Sequence, residues 1–376
     1  MAGIYIHIPF CKQQCTYCDF HFSTTFSEYR SKMISAIAAE LRSRKNYLKN
    51  ERINSIYFGG GTPSILNQNE LHLLLNEAKR TYEVDESAEI TLEANPDDIS
   101  LESLQQWKNA GINRLSIGIQ SFKETDLNWM NRAHNAFEAE NCVALAKSVG
   151  FENLSVDLIY GLPGLTNEEW EKHIIKVIAM GVTHISAYCL TVEEKTVLNS
   201  LVKNGSIVPA NEETQSEQFL ILVKVLAENG FEQYEVSNFC KPTHEALHNS
   251  NYWKSEPYLG VGPSAHSFNL TSRSWNIKNN QQYIKAICEG LNFSETEILS
   301  KEDQFNELLL TGLRTNFGVS ISSLEKCLAL NELFWTQIEA LKNQQLMIQE
   351  MDVLTLSKVG MLQADRIASN LFQIKG

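Results

Sequence analysis

Three cysteines, Cys11, Cys15 and Cys18, stand at C-x3-C-x2-C spacing in the run Tyr5-Ile-His-Ile-Pro-Phe-Cys-Lys-Gln-Gln-Cys-Thr-Tyr-Cys-Asp-Phe20. Thiolates so close in sequence can converge on one metal centre, and iron–sulfur clusters are held by cysteine runs of this kind. A four-iron cluster has four corners, and this loop supplies three sulfurs. The fourth iron would stay open to a small ligand with hard nitrogen and oxygen donors. Two plainer readings exist: three unrelated thiols in a loop, or a zinc site short of one ligand. Tetrahedral zinc sites usually show a second Cys/His pair at matching spacing, and none is obvious here.

The loop must be held by what precedes and follows it. Ile4, Ile6 and Ile8 alternate as in a strand, and Ser27–Leu48 carries helical spacing through Met33, Ile34, Ile37 and Leu41. Further strands are expected at Ile53–Phe58, Glu89–Glu93, Asn113–Ile119, Asn153–Tyr160 and His184–Leu190. Helices are expected at Gln68–Arg80, Ser100–Asn109, Phe137–Val149 and Asn167–Met180. Six strands alternating with helices imply a parallel sheet with crossover helices. The number is too small for a closed eight-stranded barrel. The expected fold is therefore α/β: an open, TIM-like (β/α)6 partial barrel over residues 1–190 with ligands at the carboxyl ends of its strands. Beyond about Val192 the alternation stops. Glu193–Gly205 and Asn211–Gly230 read as helical and Glu232–Val236 as strand, while Lys241–Ser274 is polar, aromatic and glycine-rich. The chain then divides into a barrel-flanking segment, 191–295, and a smaller, mostly helical, winged-helix-like domain, 296–376.

Composition bounds the function. A net charge of −13 argues against a nucleic-acid partner, because neutralising phosphates takes clustered Lys and Arg. No run approaches the length of a transmembrane span, which leaves peripheral membrane contact open. The N-terminus enters the first strand directly, with no basic, apolar leader. Eight cysteines, three of them in one loop, do not look like a disulfide framework in a chain this long. The expectation is a reduced, cytoplasmic protein.

The cysteine run resembles the signature of the radical SAM superfamily. Tyr5-Ile-His-Ile-Pro-Phe-Cys11 is similar to the branch that contains the oxygen-independent coproporphyrinogen III oxidase family and its heme chaperone group. The resemblance implies a [4Fe-4S] cluster on Cys11, Cys15 and Cys18. Its open iron would be chelated by the amino and carboxylate groups of S-adenosylmethionine, and reduction would cleave the sulfonium to a 5′-deoxyadenosyl radical. Gly59-Gly60-Gly61-Thr62-Pro63 follows a strand end, where glycines let backbone approach a ligand. On its own that is a tight turn; by resemblance Gly60, Gly61 and Thr62 hold the methionyl amino group. Glu93 ends a strand and suits paired hydrogen bonds to ribose hydroxyls, with Asp97, Asp98 and Ser100 better placed to cap the next helix. Asp157 interrupts an apolar strand, where an unpaired carboxylate would be costly. Gln120, Arg132 and Asp157 match positions that contact S-adenosylmethionine, Arg132 as a fixed cation for a carboxylate. Tyr5, Tyr17 and Thr191 match further cofactor positions, with packing as their plain alternative.

Two departures point away from the oxidase reaction. The oxidase carries a further Cys two residues after the third cluster cysteine, where this chain has Phe20, and it has an N-terminal extension that this sequence lacks. The second half resembles the heme chaperone group instead: His248-Asn249-Ser250-Asn251-Tyr252-Trp253 fits H-N-x-x-Y-W. Tyr234–Phe239, Gly260–Ser267 and Leu313–Val319 resemble other segments of that group. An imidazole beside Tyr and Trp has the character of a heme pocket. His248 is the candidate axial ligand, with His266, His244 and Cys240 as alternatives. The implied function is a heme chaperone that passes heme to an acceptor, with a respiratory hemoprotein as the expected acceptor. The alternative is a radical SAM oxidoreductase acting on a tetrapyrrole.

Overall fold

A computed structural model describes residues 1–373 of the chain. Six strands pair in parallel in sequence order: β1 (Ala2–Ile8), β2 (Ile53–Gly60), β3 (Val84–Ala94), β4 (Arg114–Gln120), β5 (Asn153–Tyr160) and β6 (His184–Cys189). The crossovers carry α1 (Arg30–Ser43), α2 (Gln68–Thr81), α3 (Leu101–Ala110), α4 (Glu124–Trp129), α5 (Ala136–Ser148) and α6 (Asn167–Ala179). Several of these helices begin where the chain supplies reciprocal caps, Asn67 with Glu70, Asn135 with Glu138 and Thr166 with Glu169. Of the three residues offered as caps after β3, Ser100 takes the role, accepting from Ser103 N. Asp97 and Asp98 pair with Lys12 of the cysteine loop instead. This is the open (β/α)6 architecture expected from the alternation. The short α4 is an addition, and β3 starts at Val84 rather than Glu89.

Residues 191–298 extend the same sheet at both ends. After α7 (Val197–Lys203) and α8 (Glu212–Glu228), strands β7 (Glu232–Glu235) and β8 (Asn238–Cys240) add antiparallel beyond β6. The polar, aromatic stretch after Lys241 forms α9 (Leu247–Trp253), β9 (Tyr258–Val261), β10 (His266–Phe268) and β11 (Ser272–Asn276), followed by α10 (Asn280–Glu289) and β12 (Ser294–Ile298). β9 joins β1 in parallel and the other three strands continue from it, giving a sheet of twelve strands among the described residues. The remaining chain forms α11 (Lys301–Gly312), β13 (Val319–Ser320), α12 (Ile321–Cys327), α13 (Glu332–Asn343), β14 (Met347–Glu350), β15 (Val353–Leu356), α14 (Lys358–Met361) and α15 (Ala364–Asn370). Its three strands pair antiparallel in the order β13-β15-β14. Among the described residues no helix is long and apolar enough to cross a membrane.

The sheet curls, and α9 lies inside the curl. His248 bonds Ser55 on β2 at 2.9 Å, Leu247 N and His248 N donate to Glu89 on β3, and Asn249 donates to Tyr234 on β7 at 3.1 Å. β2 and β3 lie near the middle of the strand order and β7 at its edge, so one seven-residue helix reaches them only if the sheet wraps around it.

A single buried carboxylate ties the added strands to α1. Glu40 is fully buried and accepts from Tyr283 Oη (2.5 Å), Gly262 N (2.8 Å) and Asn276 Nδ2 (2.8 Å), with Arg44 Nη1 at 3.3 Å. Four donors converge on one charge in a dry setting, where an orphaned partner is costly. Glu40→Ala is therefore expected to lower unfolding stability by about 3–5 kcal/mol in urea titrations, and Glu40→Gln by clearly less. An Ala variant as stable as the parent would remove Glu40 as the tie.

Candidate functional site

The cysteine loop leaves the tip of β1 through a narrow neck. Phe10 and Ser23 form a β-bridge, Cys11 N donates to Ser23 O and Ser23 N to Pro9 O, and the Phe10 ring stacks on Phe26 with centroids 4.6 Å apart. The far side of the loop is fastened to the turn after α4: Thr16 N donates to Met130 O, and Asn131 Nδ2 to Gln14 O at 2.7 Å. On the inner side, Gly61 N and Thr62 N donate to Ile8 O and Phe10 O. A Cβ on Gly61 would sit 2.6 Å from Phe10 O, and Gly60 has φ +108° with His7 2.5 Å from its missing Cβ. Only glycine fits both positions.

The three loop cysteines are free and line one cavity of about 430 Å³ at the carboxyl ends of the strands. Thr62 Oγ1 donates to Cys11 Sγ at 3.4 Å and Arg132 Nη1 to Cys15 Sγ at 3.3 Å. Burial pushes the Cys11 thiol up to about 11 and Cys18 to about 12, so without metal both keep their protons at neutral pH and metal binding must displace them. Among the described residues no three His, Cys, Asp or Glu side chains surround a point that one ion could occupy. Three thiols lining one cavity, with hydrogen-bond donors aimed at two of them, would suit a cluster held by all three.

Around them stand the residues singled out in the sequence. Tyr17, Gly60, Gly61, Thr62, Glu93 and Gln120 line this cavity, as do Arg132, Asp157 and Thr191. Tyr5 does not: its ring stacks on Tyr57 in a neighbouring cavity and its hydroxyl meets His7 Nδ1 at 3.2 Å. Arg132 is fixed by Asn95 Oδ1 (2.7 Å) and Gly118 O (2.8 Å), while its Nε is buried without a partner. Glu93 accepts from Tyr57 Oη (2.8 Å) and Gly60 N (3.2 Å), leaving lone pairs for further hydroxyl donors. Asp157 accepts from Ser116 at 3.2 Å. Burial raises both carboxylates, Glu93 to about 7 and Asp157 to about 6, despite these hydrogen bonds. Gln120 holds φ +66° at the tip of β4, strain of the kind that gathers at ligand sites. A fixed cation, two carboxylates, bare glycine backbone and three thiols can seat a zwitterionic nucleotide against a metal centre.

A second cavity, about 580 Å³, shares a wall with the first through Gly60, Glu93, Ser116, Asp157 and Tyr188, and Phe20 borders both. His248 faces it, its ring 5.2 Å from Tyr57 and 6.4 Å from Tyr5, with Tyr252, Trp253 and Tyr258 nearby. Among the described residues His248 makes one side-chain hydrogen bond, between Nδ1 and Ser55 Oγ, and burial lowers its pKa to about 4. His266 lines the same cavity and is exposed. His244 is exposed and bonded to Pro242 O, and Cys240 is buried in β8; neither lines the cavity. Sequence reading missed His7, His21 and His184, which also border it. His7 and His184 use both ring nitrogens within the protein.

Comparison with known proteins places this geometry. The radical SAM superfamily model matches residues 5–177, and the HemN C-terminal domain model matches 299–362. The chain is 35% identical over 322 residues to the heme chaperone HemW of Bacillus subtilis, covering 85% of each chain. It is 32% identical to HemW of Lactococcus lactis, covering 98% of this chain and 96% of the relative. Among solved structures, coproporphyrinogen III oxidase from Escherichia coli superposes with a TM-score of 0.86 at 21% identity, over 99% of this chain and 90% of that one. That likeness establishes the shared fold.

Two outcomes follow from the geometry. Cys15→Ala should abolish the visible absorbance of the reconstituted iron centre; a persisting brown chromophore would reassign the ligands. Asp157 has a folded pKa near 6 against an ordinary 3.8. Its stabilising contribution is thus complete below about pH 4 and is lost as pH rises through 6. Asp157→Asn should raise the melting temperature of iron-free protein at pH 8 and leave it nearly unchanged at pH 4. An equal shift at both would show that charge burial is not the cause.

Proposed function

The chain belongs to the radical SAM superfamily and, within it, to the family of the heme chaperone HemW, and from this we propose that it binds heme in the second cavity and passes it to an acceptor hemoprotein. The observation that carries the proposal is the setting of His248. In the tautomer that donates Nδ1–H to Ser55, Nε2 keeps its lone pair toward a cavity walled by flat aromatic rings. Burial keeps the imidazole neutral, as an axial iron ligand must be. His266 is the alternative ligand at the rim; His244 and Cys240 are poorly placed, being outside the cavity.

In the first cavity Cys11, Cys15 and Cys18 would hold the [4Fe-4S] cluster. Arg132, Glu93, Gln120, Asp157 and the Gly60–Thr62 backbone would hold S-adenosylmethionine, with Tyr17 and Thr191 at its edge. When bound, that pair supplies one-electron chemistry at the sulfonium. The chain's own part is to orient the nucleotide and to keep water from the strand tips. A respiratory hemoprotein as acceptor and a cytoplasmic place of action complete the proposal.

The second reading is an oxidoreductase acting on a tetrapyrrole. The wall common to the two cavities favours it, since a guest in one lies beside an occupant of the other. Phe20 stands where the oxidase carries its further cysteine, and it weighs against.

Anaerobic reconstitution decides between them. We expect stoichiometric heme uptake, transfer to an apo-cytochrome and no consumption of coproporphyrinogen III; conversion of coproporphyrinogen III to protoporphyrinogen IX would overturn the chaperone reading. His248→Ala should weaken heme binding by about tenfold or more and move the Soret band. An unchanged Soret band would give His248 a packing role.

A further inference from the structure

The second cavity contains a buried cation that neither the nucleotide site nor the axial imidazole uses. Arg114 opens β4, and period-two alternation places it on the same face as Ser116, Gly118 and Gln120, the face that lines the cavities. It borders the second cavity and is 2% exposed. A guanidinium carries five N–H donors in a planar fork. Among the described residues Arg114 makes no side-chain hydrogen bond, and its Nε is buried without a partner. Glu89 is the nearest acid, with Oε2 3.8 Å from Nε, beyond hydrogen-bond range. The Glu89 oxygens are already engaged by Leu247 N and His248 N at 3.0 Å. Glu89 thus orients α9 and lends Arg114 a countercharge, but satisfies none of its donors. A buried charge left in that condition is costly, and a ligand bringing two oxygens in one plane relieves it.

We infer that Arg114 is the anchor for a propionate carboxylate of the tetrapyrrole held in the second cavity, binding it through the fork of its guanidinium. The inference rests on the heme reading above and adds the group that recognises the carboxylate rather than the iron. Apolar rings and an imidazole would accept any flat metal macrocycle; a buried guanidinium selects one that carries an acid side chain. The other acids on this cavity belong to the wall shared with the nucleotide or to the cysteine loop, Glu93, Asp157 and Asp19.

The test compares heme with its dimethyl ester, which keeps the iron and the ring and lacks the charges. Both are titrated by Soret absorbance into anaerobically reconstituted protein without S-adenosylmethionine, so that the nucleotide's carboxylate cannot substitute. The wild-type protein should bind heme at least about tenfold more tightly than the diester, the worth of one charge-assisted pair. Arg114→Gln should remove that preference and leave diester binding unchanged; Arg114→Lys, which keeps the charge without the fork, should fall between. Equal wild-type affinity for heme and diester would overturn the anchor while leaving the heme reading intact. Equal loss of both ligands in Arg114→Gln would also overturn it, making Arg114 a support for α9. Absence of binding by either ligand to the wild-type protein would remove the heme reading and the anchor with it. Lys278 also lines this cavity, so should Arg114→Gln fail to fold, Arg114→Lys carries the test: an undiminished preference for heme in that variant would overturn the anchor.

Discussion

The close approach of two backbones at the tips of β1 and β2 is the constraint on which the rest of the molecule depends. Gly61 and Thr62 give their amides to the carbonyls at the end of β1 and of the neck above it, at 2.9 and 2.7 Å. Because no side chain fits at Gly60 or Gly61, the thiol loop and the glycine strand end are locked in one geometry. Thr62 is then brought within reach of Cys11, and Asn95 bridges onward from Thr62 Oγ1 to Arg132. Arg132 in turn reaches Cys15 and Tyr17. One contact made of backbone alone thus sets the positions of two thiols, a hydroxyl and a cation.

The opposite end of the lumen is organised by charge. A short helix with no side-chain N-cap of its own is held by the Glu89 carboxylate. His248 is oriented by Ser55 on one side and by Tyr57 on the other. Tyr234 accepts from Asn249 while its hydroxyl also meets His184 Nε2 at 2.8 Å, and His184 leans on Ser155 at 2.7 Å. Trp253, the last residue of α9, lies beneath the Arg314 guanidinium at 4.9 Å, and Arg314 pairs with Asp365 of α15. The floor of the second cavity is therefore in contact with the C-terminal helices as well as with the barrel.

Much of this was legible in the chain. Apolar residues at alternate positions, Ile4, Ile6 and Ile8 in β1 and Leu154, Val156 and Leu158 in β5, marked the central strands, their alternation with helices implied parallel order, and the cysteine spacing announced the loop. Asp157 stood out because a carboxylate interrupts the run Leu154–Ile159. Arg114 gives the same kind of signal, but it falls at the edge of the expected strand Asn113–Ile119, where a charge reads as the solvated end. The extension of the sheet was hidden for another reason. β9, β10 and β11 are three to five residues long and carry Ser, His, Asn and Trp, so neither length nor alternation separates them from loop. Tyr5 shows what periodicity cannot supply: alternation puts it on the lumen side with Gly3 and His7, but depth along the lumen depends on where α9 lies, and that is a long-range contact.

Glu93 and Asp157 stand in the partition between the two cavities, each with its proton affinity raised by burial. A cationic occupant on one side draws these groups toward their ionised forms, and an occupant on the other side then meets a different charge on its wall. Because binding free energies are functions of state, the influence runs equally in both directions. The partition makes the two chambers a linked pair: whatever factor a guest in one imposes on the affinity of the other is returned to it unchanged.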